Sequence, residues 1–339
     1  MYSRFPARKL SFALVPLLAL AASVIPADEP REHGSGYSLA PDTSVIGARG
    51  RHVVADESMY RIAREHGLGY HELAAANPGL DPWAPPEGQE LELPTRFVLP
   101  DAPREGIVIN LAERRLYYFP EGESRVYTWP VSIGREGYDT PLGETRIVAK
   151  RENPVWVPPP SVREKHEDLP EAVAPGPANP LGTRALNLGW RHYVIHGTNL
   201  TTVIGQRASH GCLRLYNRDV EQLFDMVDEG TPVRVVYQPV RVGWRGGVLH
   251  GAFAPDWAAL DSKGRPLGSE PPDRTGAIER IISAAGERAP ELDWDVLGEA
   301  LQDPRGGVFT LLAPESGEKD DGDNRLPKEP VMPVERIYL

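Results

Sequence analysis

Cys212 is the single cysteine in a chain of 339 residues. It stands in Ser209-His210-Gly211-Cys212-Leu213-Arg214-Leu215, between a histidine and an arginine. A cysteine left to itself titrates at about 8.5, so a reactive one needs a base or a cation nearby. His210 lies two residues upstream. His196 lies sixteen residues upstream, in His192-Tyr193-Val194-Ile195-His196-Gly197-Thr198. That segment alternates as a strand, so His192, Val194 and His196 are expected on one face and Tyr193 and Ile195 on the other. A strand followed by a 15-residue return can bring His196 beside Cys212. Gly211 has no side chain and lets a substrate approach closely. The Gly211 and Cys212 amides, leading towards a helix, could receive the oxyanion formed when a thiolate attacks a carbonyl. Arg214 adds a fixed positive charge suited to a carboxylate. Three readings stay open on these residues alone. Cys212 is a nucleophile with His196 as base. Or His196, His210 and Cys212, with His192, hold zinc, although no CxxC or HExxH spacing is present. Or the cysteine is buried and inert among hydrogen-bonded histidines.

The elements that must position these residues read as mostly β. Residues 106–119 form two alternating runs around a turn at Ala112-Glu113, a hairpin. The stretches 124–134 and 143–151 continue the pattern. Beyond the cysteine, Val220, Leu223, Phe224 and Val227 mark one face of a helix, with Asn217 as its cap and Gly230 near its end. Residues 231–238 read as a closing strand. Many strands with one strong helix imply a β-sandwich or barrel-like domain over 104–237. Residues 153–190 interrupt it as a long, proline-stiffened excursion with Trp156 and Trp190 at its ends, expected to be a lid or a substrate wall.

Residues 51–95 read as strand, helix, helix, strand (βααβ), a small α+β module. Met59, Ile62 and Ala63 line the first helix, with Asp56 or Ser58 as cap and Gly67 as stop. Tyr70, Leu73 and Ala74 line the second, which Asn77-Pro78-Gly79 ends. Residues 28–50 read as a flexible tail. Residues 238–314 hold two helical patterns, a partly helical extension in which no chemistry is evident. Residues 315–339 are charged and proline-rich, as in a disordered tail.

At the other end, Arg4, Arg8 and Lys9 precede an apolar run over 10–24 and a small-residue exit at Ala27, the pattern of a secretory signal peptide over 1–27. A spanning helix needs about 20 apolar residues, and this run is shorter. No integral membrane segment is expected after its removal. The net charge of -11 argues against nucleic acid, whose binders carry basic patches. An exported chain normally pairs its cysteines, so a lone thiol in such a compartment is either inert or useful.

The segment "HGTNLTTVIGQRASHGCLRLYNRD" resembles the signature of the L,D-transpeptidase (YkuD-type) family, as do "SIGREGYDTPLGETRIVAKRENPVWVPPPSVRE" and "GPANPLGTRALNLG". The module at 51–95 resembles a LysM domain, a combination found in the proteobacterial periplasmic branch. The module departs from its family at Ala55-Asp56-Glu57-Ser58-Met59. The resemblance implies a periplasmic enzyme that acts on peptidoglycan without metal or cofactor. In it Cys212 takes the acyl group of a tetrapeptide stem and His196 is the base. The Gly197 carbonyl orients the imidazole, His210 supports the loop, and the Gly211 and Cys212 amides meet the oxyanion. Ser209 and Arg214 are candidate substrate contacts. The implied partners are stem peptides and glycan strands, with an outer-membrane lipoprotein as an alternative acyl acceptor.

Overall fold

The computed structural model describes residue 34 and residues 36–164, 168–254, 274–302 and 307–313. The expected signal peptide and C-terminal tail lie outside these. The chain opens with β1 (Tyr37–Ser38), β2 (Val45–Gly47) and β3 (Gly50–Val53). Residues 36–50 are therefore not a flexible tail. Val45 and Ile46 are buried, and strands of two or three residues are too short to show a period in the sequence. Next come α1 (Met59–Glu65), α2 (Tyr70–Ala76), β4 (Glu90–Leu93) and β5 (Arg96–Val98). β3 pairs with β4 and β2 with β5, both antiparallel, so 50–93 is the expected βααβ unit. Ser58 caps α1, its Oγ accepting from the Arg61 N–H at 3.3 Å. Met59, Ile62 and Ala63 are its buried face. Asn77 ties the end of α2 to β4: its amide donates to the Leu73 and Glu92 carbonyls, and its Oδ1 accepts from the Glu92 N–H.

The next region supplies β6 (Gly106–Asn110), β7 (Arg115–Phe119), β8 (Arg125–Pro130), β9 (Ile133–Gly134) and β10 (Gly143–Glu152). Then follow α3 (Pro160–Arg163), β11 (Arg184–Leu188), β12 (Val194–His196), β13 (Arg207–Ser209), β14 (Leu213–Arg214), α4 (Asn217–Met226) and β15 (Pro232–Val236). Nine strands make one mixed sheet in the order β1-β8-β7-β6-β15-β10-β11-β12-β14. Its far edge returns to its near side. The Arg214 N–H donates to the Ser132 carbonyl at 3.0 Å and the Ser132 N–H to the Arg214 carbonyl at 2.9 Å, just past the end of β8. This closure gives the mostly β, barrel-like form. The enclosed core includes Ile107, Trp129, Ile147, Leu186, Ile195 and Leu213, with Val220, Leu223, Phe224 and Val227 of the α4 segment packed into it. β15, the strand that closes the domain in sequence, lies mid-sheet, parallel to β6 and antiparallel to β10. The excursion is also shorter than expected, because β11 occupies its last part. It spans 153–183 and is pinned by a bridge between Trp156 and Val173.

β16 (Val240–Arg245), β17 (Val248–Phe253), α5 (Arg274–Ala285), α6 (Trp294–Gln302) and β18 (Val308–Leu312) complete the described chain. The two helices match the sequence expectation. The antiparallel sheet β16-β17-β18 does not appear in it. Leu249, Phe253, Ile281, Leu297 and Leu311 form its core. Among the described residues no helix is long and apolar enough to cross a membrane.

Buried ion pairs weld these parts together. Arg115 on β7 is fully enclosed. It meets the Glu72 carboxylate of α2 through Nε at 3.0 Å and Nη2 at 2.8 Å, and donates to the Gly67 carbonyl. Glu72 also accepts the Gly69 N–H at 2.7 Å, so the same carboxylate caps α2 and anchors it to the sheet. Arg241 of β16 pairs with buried Glu113 at 2.7 Å, which accepts from Asn110 and Tyr117. Removing one partner of such a pair leaves an uncompensated buried charge. Arg115→Leu is expected to lower unfolding free energy by roughly 3 kcal/mol, and Arg115→Leu with Glu72→Leu to recover part of it. Urea unfolding checks this; a single-variant loss below about 0.5 kcal/mol would show that the pair does not hold the module.

Candidate active site

The site is set by two short strands. β12 and β14 run parallel with Ile195 opposite Leu213 and His196 opposite Arg214. Ile195, Leu213 and Leu215 point into the core. Alternation therefore puts Val194, His196, Cys212 and Arg214 together on the other face. Cys212 falls level with Val194, one step diagonal to His196. Strand spacing and rise separate the two backbones by about 8 Å, a gap their side chains face from both sides. His192 does not join them as the alternation suggested. Its φ is +71°, it sits in the turn before β12, and it contributes its carbonyl, 3.5 Å from the Cys212 Sγ.

His196 is 3% exposed. Its Nδ1 donates to the Gly197 carbonyl at 2.6 Å, which leaves Nε2 as the basic nitrogen. Burial, the Arg214 charge and, to a smaller extent, the Arg151 charge lower its pKa to about 3; the hydrogen bond to Gly197 and the nearby Leu181 backbone oppose that fall. Arg151 reaches this face through the register: it lies opposite Ala185, which lies opposite His196. The half-buried Cys212 thiol is pushed up by burial, with the Val194 N–H and Arg214 pulling the other way. Arg214 thus favours a thiolate and disfavours an imidazolium. The resting site is a neutral thiol beside a neutral imidazole.

The loop into the cysteine is braced from within. Ser209 is fully buried. Its Oγ donates to the Cys212 carbonyl at 2.5 Å and accepts the Gly211 N–H at 3.0 Å. Ser209 therefore has no surface to offer a substrate, and the Gly211 amide is already committed, contrary to both expectations. Thr140 donates to the Gly211 carbonyl at 2.9 Å. Gly211 has φ +102°, and a Cβ there would sit 2.8 Å from the Tyr193 ring, so glycine is required. His210 points outward. Its Nε2 meets Arg135 Nη2 at 2.8 Å, and Tyr138 packs edge-on against its ring, 4.6 Å between centroids. A guanidinium only donates, so this Nε2 accepts. Asn217, expected to cap α4, is instead its first residue behind the cap Tyr216. Its Oδ1 accepts the Thr198 and Thr183 amides at 3.1 and 3.3 Å, tying the loop after His196 to the start of β11. Among the described residues no three His, Cys, Asp or Glu side chains gather as a metal-binding group. Arg135, Tyr138 and Thr140 lie in the quoted 132–164 stretch, so the signal was in view but carried no role. Arg151 and Leu181 also lie in family-like stretches, but nothing local ties either to His196, and Asn217 carried only the signal of a helix cap.

Residues 104–235 match the YkuD family, described as the L,D-transpeptidase catalytic domain, and residues 52–94 match the LysM domain. The chain is 36% identical over 286 residues to the probable L,D-transpeptidase YcfS of Escherichia coli, spanning 80% of this chain and 86% of that protein. It belongs to the YkuD-type L,D-transpeptidases. It is also 41% identical over 214 residues to the probable L,D-transpeptidase ErfK/SrfK of the same organism, covering 60% of this chain and 69% of that protein. For the probable L,D-transpeptidase YbiS the values are 36% over 257 residues, 72% and 80%. This L,D-transpeptidase is accordingly a cysteine acyltransferase.

Two measurements check its electrostatics. Alkylation of Cys212 by iodoacetamide is expected to rise with pH through an inflection above that of an ordinary cysteine; a plateau already reached at neutral pH would mean a preformed thiolate. His196 binds no proton in the folded state until about pH 3, whereas unfolded it titrates at 6.5. Its contribution is therefore complete above 6.5. It is lost as pH falls towards 3, at about 1.4 kcal/mol per pH unit. His196→Gln should flatten the stability–pH slope in that window by about one proton; an unchanged slope would contradict a neutral buried imidazole.

Proposed function

We propose that Cys212 is the nucleophile and His196 the general base of acyl transfer on peptidoglycan stem peptides. The observation that carries this reading is the β12–β14 register, which turns both side chains to one face. His196 Nε2 takes the thiol proton as Sγ attacks the carbonyl of the third residue of a tetrapeptide stem. Charge then develops on that carbonyl oxygen. With the Gly211 N–H bound to Ser209, the Cys212 amide is the donor that can meet it. The C–N bond breaks, the terminal D-alanine leaves with the proton returned by His196, and a thioester remains. An acceptor amine attacks the thioester, His196 takes its proton, and Sγ is restored. The acceptor is the diaminopimelate amine of a second stem or the C-terminal lysine of an outer-membrane lipoprotein. Water in the same position gives a carboxypeptidase instead. Arg214, positive beside Sγ, stabilises the thiolate as it forms.

The LysM unit supports a glycan-bearing substrate. Tyr60 stacks on Tyr70 at 4.3 Å, and Trp83, 63% exposed, leans on Tyr60 at 4.5 Å. Such a ledge suits the apolar faces of sugar rings. A periplasmic location follows from the basic and apolar N-terminal stretch together with this substrate.

Incubation with a tetrapeptide stem should give, by mass spectrometry, a Cys212 adduct on the wild type and none on Cys212→Ala. His196→Ala should slow its formation by a factor of about 100 or more. Adding an acceptor amine should convert the product from tripeptide to joined stems. An adduct at undiminished rate in His196→Ala would remove its role as base.

A further inference from the structure

The excursion over 153–183 starts beside β10 and ends beside His196, and one side chain closes it. Asn179 is fully buried. Its Nδ2 donates to the Pro154 carbonyl at 2.8 Å, the Val173 carbonyl at 3.1 Å and the Ala174 carbonyl at 3.2 Å. Its Oδ1 accepts the Leu181 N–H at 2.8 Å. The outgoing leg, the middle and the return leg of the excursion thus converge on a single amide. The backbone adds to this: the Asn179 N–H donates to Gly176, and the Gly182 N–H donates to Asn179.

The return leg then meets the imidazole. The Leu181 backbone lies close enough to the His196 ring to favour its protonated form. Gly182, at φ +66°, lies so close to the strand end that a Cβ there would fall 2.6 Å from Thr198 N and 2.7 Å from Gly197 C. The segment that Asn179 fixes is therefore in van der Waals contact with the residues following His196. The ring is held by its own chain through Gly197 and flanked by the excursion at Leu181.

We propose that Asn179 is a positioning residue for His196, fixing the return leg so that the Leu181 carbonyl stands against the imidazole. A carbonyl there has little to offer a neutral ring and much to offer a protonated one, since it accepts and carries partial negative charge. It steadies the imidazolium that forms while the proton is in transit, in a site where Arg214 and Arg151 oppose that charge. The excursion is thus part of the proton-transfer apparatus as well as a wall. This rests on the reading of His196 as the base.

The test is single-turnover acylation by a tetrapeptide stem across donor concentration and pH, with thermal melting in parallel. Wild type, His196→Ala, Asn179→Ala, Asn179→Ser and Asn199→Ala are compared. Asn199, which is exposed, ties the excursion at Ala178 instead, so its variant loosens the loop without touching Leu181. Asn179→Ala is expected to lower the maximal rate by a factor of about 10 with half-saturation within about twofold, and to shift the lower limb of the pH profile. Asn199→Ala should keep the wild-type rate. A full maximal rate in a folded Asn179 variant, or a loss confined to half-saturation, overturns the proposal. Loss in His196→Ala with an intact Asn179→Ala overturns this proposal alone; an intact His196→Ala removes the base reading as well. A measurement needing no Asn179 variant is the 13C shift of the Leu181 carbonyl in wild type and in His196→Gln. It should move when the ring is removed, and an unmoved shift overturns the contact.

Discussion

The fold turns on a strand of two residues. Leu213 and Arg214 are bonded on one side to β12 and on the other to Ser132, and this double pairing closes the sheet. Leu213 is thereby committed to the core, so its neighbours Cys212 and Arg214 must face away from it. The same pairing commits Ile195, so His196 faces away too. Slipping this register by one residue would bury the thiol in the core and drive Leu213 into the site. The closure is short, and the surroundings reinforce it. The Leu215 N–H reaches the His196 carbonyl at 2.9 Å, Ser209 braces the approach, and α4 packs beneath.

That geometry sets the electrostatics. The site face carries Arg214 and Arg151 beside a buried histidine, and their charges oppose a proton on it. The Gly197 and Leu181 backbones favour one. On the proposed reading, His196 in this balance is neutral at rest and becomes charged only while the proton is in transit. Arg214 acts in the opposite sense on the thiol. The arrangement differs from a preformed thiolate–imidazolium pair, in which the imidazolium itself would lower the thiol pKa. On that reading, the gain of the neutral resting state is a thiol that stays unreactive until a substrate carbonyl is in place.

Much of this was legible in the sequence, and the misses share a physical cause. Residues 51–95 read correctly because their helices have caps and apolar faces long enough to show a period. The hairpin at 106–119 and the α4 face read for the same reason. β1, β2 and β14 are held by backbone bonds to distant partners, and two or three residues cannot display alternation. β15 read as a strand, but its mid-sheet place did not show, because its parallel partner β6 lies over a hundred residues away. At the site, residue types were sufficient to single out Cys212 and His196. They could not show that Ser209 turns inward and takes the Gly211 N–H, or that Asn217 serves Thr183 and Thr198 rather than its own helix. Those outcomes depend on which backbone groups the fold leaves unpaired nearby.

The LysM unit is part of the same body. Glu72 caps its own helix and binds Arg115 of the sheet, while the Tyr70 N–H reaches the Ile204 carbonyl in the segment that leads to Cys212. The central claim is that His196 rests neutral with its proton on Nδ1, and ring 15N spectra of labelled protein test it most directly. A neutral ring with Nδ1 protonated, unchanged from about pH 8 to about pH 5, is predicted from a pKa lowered to about 3. A doubly protonated ring at neutral pH would contradict it.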